Sequence, residues 1–282
     1  MPTRRYLQRL GIDEPLPPTL DTLRLLHARH LERVPYENLG IMLEHSPSVD
    51  PAATLDRIAG LGRAGYCFHH NGAFELVLRD LGFVVERRHG QVWHAGADAP
   101  GPALNHLVLV VRELPTPENP GGRWWPDLGL GDGFVAPLPL VDGTYDDAGF
   151  RYVLSGVGED GWTFHHDPAG SFAGLRVSAE PTTPAAVLAA HAELSTPPEG
   201  RFTRVLVVMR RDATGVDVVR GCLLHRVEAG RSTQTELTSY AAWRDALVAA
   251  GLPLDDIPED ELGALWGRTR AAHEAWTAAG RP

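Results

Sequence analysis

Apolar side chains recur at helical spacing over 19–30, where Leu20, Leu23, Leu25, Leu26 and the following Leu31 predict a helix that Val34-Pro35 ends. A second helix is predicted over 52–58, before the glycine-punctuated Gly60-Leu61-Gly62-Arg63-Ala64-Gly65, and a third over 71–80, which Leu81-Gly82 closes. After Phe83 the pattern changes to short β-branched and aromatic runs separated by Gly, Pro and Asp: VVERRHGQVWHA, HLVLVV, RWWPDLGLG, RYVLSGV, GWTFHH and LRVSA. No helical segment separates these runs, which predicts a curled sheet or barrel rather than βαβ repeats. A helix is then expected over 181–193 and a Pro-rich connection over 195–200. Two strands from RVLVVMRR and GCLLHRV follow, and two closing helices over 240–250 and 259–277.

A chain of 282 residues exceeds one average domain and is long enough for two packed units, or three small ones, to fold without staples. With 43% hydrophobic and 22% charged residues it reads as a globular protein, and no apolar run approaches the roughly 18 residues of a membrane span. The opening MPTRRYLQRLGIDEPLPPTL carries no apolar signal core, so a cytoplasmic location is expected. Cys67 and Cys222 lie far apart and form no CxxC pair, which argues against a disulfide scaffold or zinc ribbon. A net charge of −10 leaves no basic footprint for nucleic acid, although Arg201, Arg204, Arg210 and Arg211 form a patch that could meet a local phosphate. All 26 Lys or Arg positions are arginine, and the absence of lysine excludes Schiff-base chemistry, pyridoxal phosphate anchoring and a lysine-bearing phosphate loop.

Three residues stand out as chemistry. Cys67, in GRAGYCFHHNGAFELVL, falls near the first turn of a helix, where backbone N–H groups and the positive helix end favour a thiolate and can hold an oxyanion. The alternative is a buried cysteine packing as a small hydrophobe. His106 opens NHLVLVV at the lip of a strand and could serve as general base, against a merely solvated strand-end histidine. Asp127, in WWPDLGLGDG, suits an orienting carboxylate in a fixed and partly dry environment, against an ordinary turn aspartate. Jointly they make a thiol–imidazole–carboxylate set. His69-His70 and His165-His166-Asp167 raise metal ligation, but neighbouring residues point apart and no spaced partner accompanies them, so no metal is expected. GLGDG lacks the context of a nucleotide loop and reads as a tight turn; Trp124 and Trp125 could stack on an aromatic substrate, with a core role favoured for at least one.

The blocks HLERVPYENL at 30–39, RAGYCFHHN at 63–71, NHLVLVV at 105–111 and PDLGLG at 126–131 together resemble the signature blocks of the arylamine N-acetyltransferases, in order and spacing. The resemblance spans nearly the whole chain. It implies an α+β fold: an N-terminal helical bundle (1–83), a central β-barrel (84–195) and a C-terminal α/β lid (196–282), around a Cys-His-Asp core of the cysteine-protease type. It also implies that Cys67 is acylated, His106 is the base and Asp127 orients it. Acetyl-CoA would be the donor substrate, with no bound cofactor, and an aromatic amine or hydrazine the acceptor, in a ping-pong reaction. Three positions depart from the family pattern: Ala64 replaces a glycine, His69 a glutamate that could pair with Arg63, and Leu130 an aromatic. These keep open an amide synthase fed by an acyl carrier protein, an amide hydrolase using the same triad, and a non-catalytic binding protein. Cys222 is expected to be structural.

Overall fold

The computed structural model describes residues 2–14, 16–94, 104–196 and 200–280. The expected strand end at Ala95 and residues 197–199 of the expected connection lie outside these.

The N-terminal helices are α1 (Pro2–Arg9), α2 (Leu20–Arg33), the short α3 (Leu39–Met42), α4 (Pro51–Leu61) and α5 (Cys67–Asp80), with the two-residue strand β1 (Tyr36–Glu37) between α2 and α3. Their ends follow side-chain chemistry. The Thr19 hydroxyl accepts from the Thr22 N–H at 3.3 Å, Asp50 accepts from the Ala53 N–H at 2.8 Å, and Gly62 ends α4 at φ 72°, which suits a residue without Cβ. Leu23, Leu26, Leu55, Ile58, Phe74, Val77 and Leu78 bury one face of each helix against Tyr6 and Leu10. Helix α1 had no apolar periodicity to announce it; Tyr6 and the flanking Leu10 anchor it to this core.

The central strands are β2 (Val84–Trp93), β3 (His106–Arg112), β4 (Trp124–Trp125), β5 (Leu138–Pro139), β6 (Gly143–Asp147), β7 (Phe150–Gly158), β8 (Gly161–His165) and β9 (Gly174–Ser178). They form one antiparallel sheet in the order β5-β4-β3-β2-β9-β8-β7-β6. Its two edge strands are consecutive in sequence and joined only by residues 140–142. Such a short link draws the edges together, so the sheet curls into a nearly closed barrel. The continuous apolar run in β3 has a simple cause: Val108 and Val110 face the barrel interior, while Leu109 and Val111 face the helical core. A strand buried on both faces cannot alternate with polar residues.

Helix α6 (Pro184–Ser195), capped by the Thr183 hydroxyl at 3.1 Å, leads to strands β10 (Val207–Arg211), β11 (Gly215–Arg220), β12 (Leu223–Glu228) and β13 (Arg231–Glu236), then α7 (Tyr240–Ala249) and α8 (Glu259–Ala278). The sequence predicted two strands here and the structure has four. The edge strand β13, RSTQTE, is exposed throughout and has no hydrophobic alternation; it forms because β12 offers it a hairpin partner. The second sheet also recruits β1 beside β10. Leu206, Val208, Val219, Trp243, Leu247, Leu262 and Leu265 make its core, with Leu39 from α3.

Asn38 joins these units. Its amide donates to the carbonyls of Phe202 at 2.8 Å and Val205 at 2.9 Å, and its oxygen accepts from the Val207 N–H at 2.8 Å. Asn38→Ala takes the side-chain partner from three part-buried backbone groups, so a loss of about 1–3 kcal/mol is expected in denaturant unfolding. A loss below ~0.5 kcal/mol would show that this junction does not hold the segments together.

Candidate active site

Cys67 is the first residue of α5, with its side chain buried at 3% exposure and its thiol directed at the Asn105 carbonyl, Sγ to O 3.7 Å. Its N–H and that of Phe68 precede the i→i−4 ladder and point along the positive helix end. One turn of backbone before the helix is held by His69, the third helical residue. The Tyr66 N–H donates to His69 Nδ1 at 3.2 Å, and His69 Nε2 lies 3.2 Å from the Pro47 carbonyl, to which it donates. Gly65 adopts φ 123°, and a Cβ there would come within 2.5 Å of His69 Nδ1. Arg63 does not pair with position 69: its guanidinium binds the Asp256 carboxylate.

His106, first residue of β3, is buried at 2% exposure rather than solvated, and its Nε2 lies 2.8 Å from Asp127 Oδ2. Asp127 therefore fixes Nε2 as the protonated nitrogen and leaves Nδ1 for the Cys67 thiol. Burial alone would lower the imidazole, but the Asp127 carboxylate and Cys67 outweigh it and push His106 up to about 10. The three residues singled out from sequence thus meet in one buried cluster.

Four donors satisfy Asp127. Oδ2 accepts from His106 and from Trp125 Nε1 at 3.0 Å, and Oδ1 accepts from Asn71 Nδ2 and the Gly129 N–H, each at 2.9 Å. Asn71 also donates to the Leu107 carbonyl at 2.7 Å and accepts from the Leu128 N–H at 2.9 Å, so one side chain on α5 clamps β3 and the Asp127 loop. His27 on α2 accepts from the Asp127 N–H at 3.0 Å and faces the Val135 carbonyl at 2.7 Å, to which its Nδ1–H donates. Gly129 passes so close to Cys67 that a Cβ would fall 2.6 Å from the Cys67 Cα. Only the shared motif hinted at Asn71; His27 gave no sequence signal beyond its place on a helix. Trp125 is a core residue that donates to Asp127, and Trp124 donates to the Leu114 carbonyl at 2.8 Å, so neither tryptophan serves as a substrate stack.

The other histidines raised as ligands sit in different surroundings. Tyr6 O–H, His30 and His70 form a relay with spacings of 2.8 and 2.7 Å that ends 3.1 Å from the Gly65 carbonyl, and burial holds His70 down to about 4. His166 lies 3.5 Å from Asp132, and His165 is exposed. Among the described residues no group of three or more His, Cys, Asp or Glu side chains has metal-ligand placement.

Cys67 opens onto a cleft of about 650 Å³. Leu130, Phe172, Tyr36, Val92 and Phe202 give it apolar walls, and Arg201, Arg204 and Arg220 stand in its lining. The arginine patch read from sequence therefore divides. Arg210 pairs with Asp217 at 3.0 Å, and the buried Arg211 donates to the Gly133 carbonyl at 2.9 Å, away from the cleft. Arg220, which the sequence did not flag, joins Arg201 and Arg204; burial and the nearby Arg201 lower its guanidinium.

Comparison with known proteins agrees with this geometry. An N-acetyltransferase family model matches residues 19–255. The chain belongs to the arylamine N-acetyltransferase family. It is 37% identical over 160 residues to the arylamine N-acetyltransferase of Mycolicibacterium smegmatis, covering 55% of this chain and 56% of that protein. The chain spans about half the length of the curated relatives it matches. The fold match is longer: the arylamine N-acetyltransferase of Mycobacterium marinum superimposes with a TM-score of 0.84 at 28% identity, over 95% of this chain and 99% of that one. A structure of the same M. marinum enzyme in complex with CoA matches with a TM-score of 0.83 at 28% identity, over 95% and 98%. At the three positions noted from sequence, Ala64 is buried with its carbonyl accepting from Arg57 Nη2 at 2.5 Å, His69 is buried outside the cleft lining, and Leu130 lines the cleft.

Because His106 binds its proton more tightly folded than unfolded, its contribution to stability is complete below about pH 6.5 and is lost as pH rises through about 10. NMR titration of the His106 ring is expected to show a midpoint near 10 that falls in Asp127→Asn. A midpoint near 6.5 in the folded wild type would contradict the pairing.

Proposed function

We propose that this chain transfers an acetyl group from acetyl-CoA to an aromatic amine or hydrazine through an acyl-Cys67 intermediate. The observation that carries this reading is the buried Cys67–His106–Asp127 cluster opening on an arginine-lined cleft. The Cys67 sulfur, its proton passed to His106 Nδ1, attacks the thioester carbonyl. The new C–S bond forms as the carbonyl becomes an oxyanion, held by the Cys67 and Phe68 N–H groups at the start of α5. Collapse breaks the bond to the CoA sulfur, which takes the proton from His106. In the second half the acceptor nitrogen attacks the acyl-cysteine, His106 removes its proton, and Cys67 leaves as the amide departs. Asp127 keeps the ring oriented and stabilises the imidazolium in both halves.

The donor and acceptor ends follow from the lining. Arg201, Arg204 and Arg220 supply positive charge for the phosphates of CoA, while Leu130, Phe172 and Tyr36 give flat apolar surface for an aromatic ring. Leu130 in place of an aromatic leaves a differently shaped acceptor side, favouring bulkier rings. Cys222, at 1% exposure, lines a separate cavity of about 500 Å³, and burial pushes its thiol up, which fits a structural role.

Initial rates over varied acetyl-CoA and arylamine are expected to give parallel double-reciprocal lines. Cys67→Ser should lose activity by at least about 10³-fold with an unchanged circular dichroism spectrum, and Cys222→Ala should keep it. Intersecting lines, or a folded active Cys67→Ser, would overturn the reading. Arg220→Gln should raise KM for acetyl-CoA about tenfold and leave KM for acetyl-pantetheine, which lacks the nucleotide, nearly unchanged. Activity with acyl-carrier thioesters alone would instead indicate an amide synthase.

A further inference from the structure

His69 is fully buried two residues after Cys67, where the resemblance to the family implies a glutamate. Its place is the third position of α5, where a glutamate or glutamine reaching back to the N-cap N–H forms half of a capping box. The imidazole performs that task. Nδ1 accepts from the Tyr66 N–H and Nε2–H donates to the Pro47 carbonyl, each at 3.2 Å, so the two bonds require the neutral ring with its proton on Nε2.

Groups from every neighbouring element fit a neutral ring. Arg57 on α4, donating to the Ala64 carbonyl and to Thr54, brings positive charge toward it. His191 on α6 meets it edge-on at 5.4 Å, and the Tyr66 ring does so at 5.0 Å. His70 on the same helix is engaged with His30 and Gly65. Glu37 faces Arg57 and Arg63 rather than His69, and no carboxylate of a described residue bonds to the ring. Burial, with Arg57 adding to it, holds His69 well below the usual histidine range.

We propose that His69 is a positioning residue for Cys67: it caps the nucleophile's helix with an uncharged acceptor, so that the thiolate forms without a second negative charge in the same helical turn. This rests on Cys67 being the nucleophile. A carboxylate at 69 would give the same N–H bond but add an anion to the helical turn that Cys67 opens and draw further on the Arg57 charge that Glu37 already meets, whereas imidazole adds no negative charge there.

The test uses the full chain in a Cys222→Ala background and reads alkylation of Cys67 by iodoacetamide across pH, a reaction that needs no acyl donor. His69→Gln, a neutral acceptor, should keep the wild-type midpoint. His69→Glu should move it about one pH unit upward and slow alkylation at neutral pH about tenfold. Identical midpoints for wild type, His69→Gln and His69→Glu in folded proteins would overturn the proposal, even if acyl transfer itself is confirmed. Loss of acyl transfer with the shift intact would leave it standing. Should the variants not fold, the nitrogen chemical shifts of wild-type His69 decide: an unprotonated Nδ1 at neutral pH supports it, and a protonated Nδ1 contradicts it.

Discussion

The buried carboxylate of Asp127 is the constraint on which the rest of this structure turns. An ionised carboxylate withdrawn from water costs several kcal/mol unless its lone pairs are filled, and here they are filled by donors from α5, β3, β4 and the carboxylate's own loop. Each donor is itself fixed. Asn71 also holds the Leu107 carbonyl and the Leu128 N–H, and Trp125 is packed edge-on against Phe134 and Phe164 in the barrel core. The helical part and the barrel therefore cannot slide past each other without stripping a charge of its partners. The geometry suited to proton transfer follows from the same requirement.

That arrangement explains two features around it. β3 must be apolar on both faces because it is the wall shared by the two cores, and His106 sits at its first position, where the strand leaves the wall and reaches the cleft. Gly129 must lack a side chain because the Asp127 loop has to pass against Cys67 for its N–H to reach the carboxylate. Packing, backbone freedom and electrostatics thus converge on one cluster, which is what makes the cysteine chemically distinct from Cys222.

Local chemistry made much of this legible in the sequence. The glycine-rich lead into an amphipathic run placed Cys67 at a helix start, although the periodicity alone began that helix at Asn71, four residues late, because Phe68, His69 and His70 are buried without an alternating pattern. The strand runs after Phe83 announced a curled sheet. What remained hidden depends on contacts between distant segments. Helix α1 and strand β13 form only against partners, Asn71, Trp125 and His27 gain their roles from the Asp127 loop, and Arg220 reaches the cleft through the pairing of β10 with β11. The partner of Arg63 was hidden for the same reason: with imidazole at position 69, Asp256, 193 residues along, takes the guanidinium.

Arylamine N-acetyltransferase family membership and the geometry around Asp127 together lead to one central claim, that Cys67 carries the acyl group between two substrates. Intact-protein mass spectrometry after mixing with acetyl-CoA tests it most directly. The account predicts a gain of one acetyl group that maps to Cys67 and is discharged on adding an aromatic amine or hydrazine. A folded protein that gains no acetyl group, or gains one elsewhere in the chain, would contradict it.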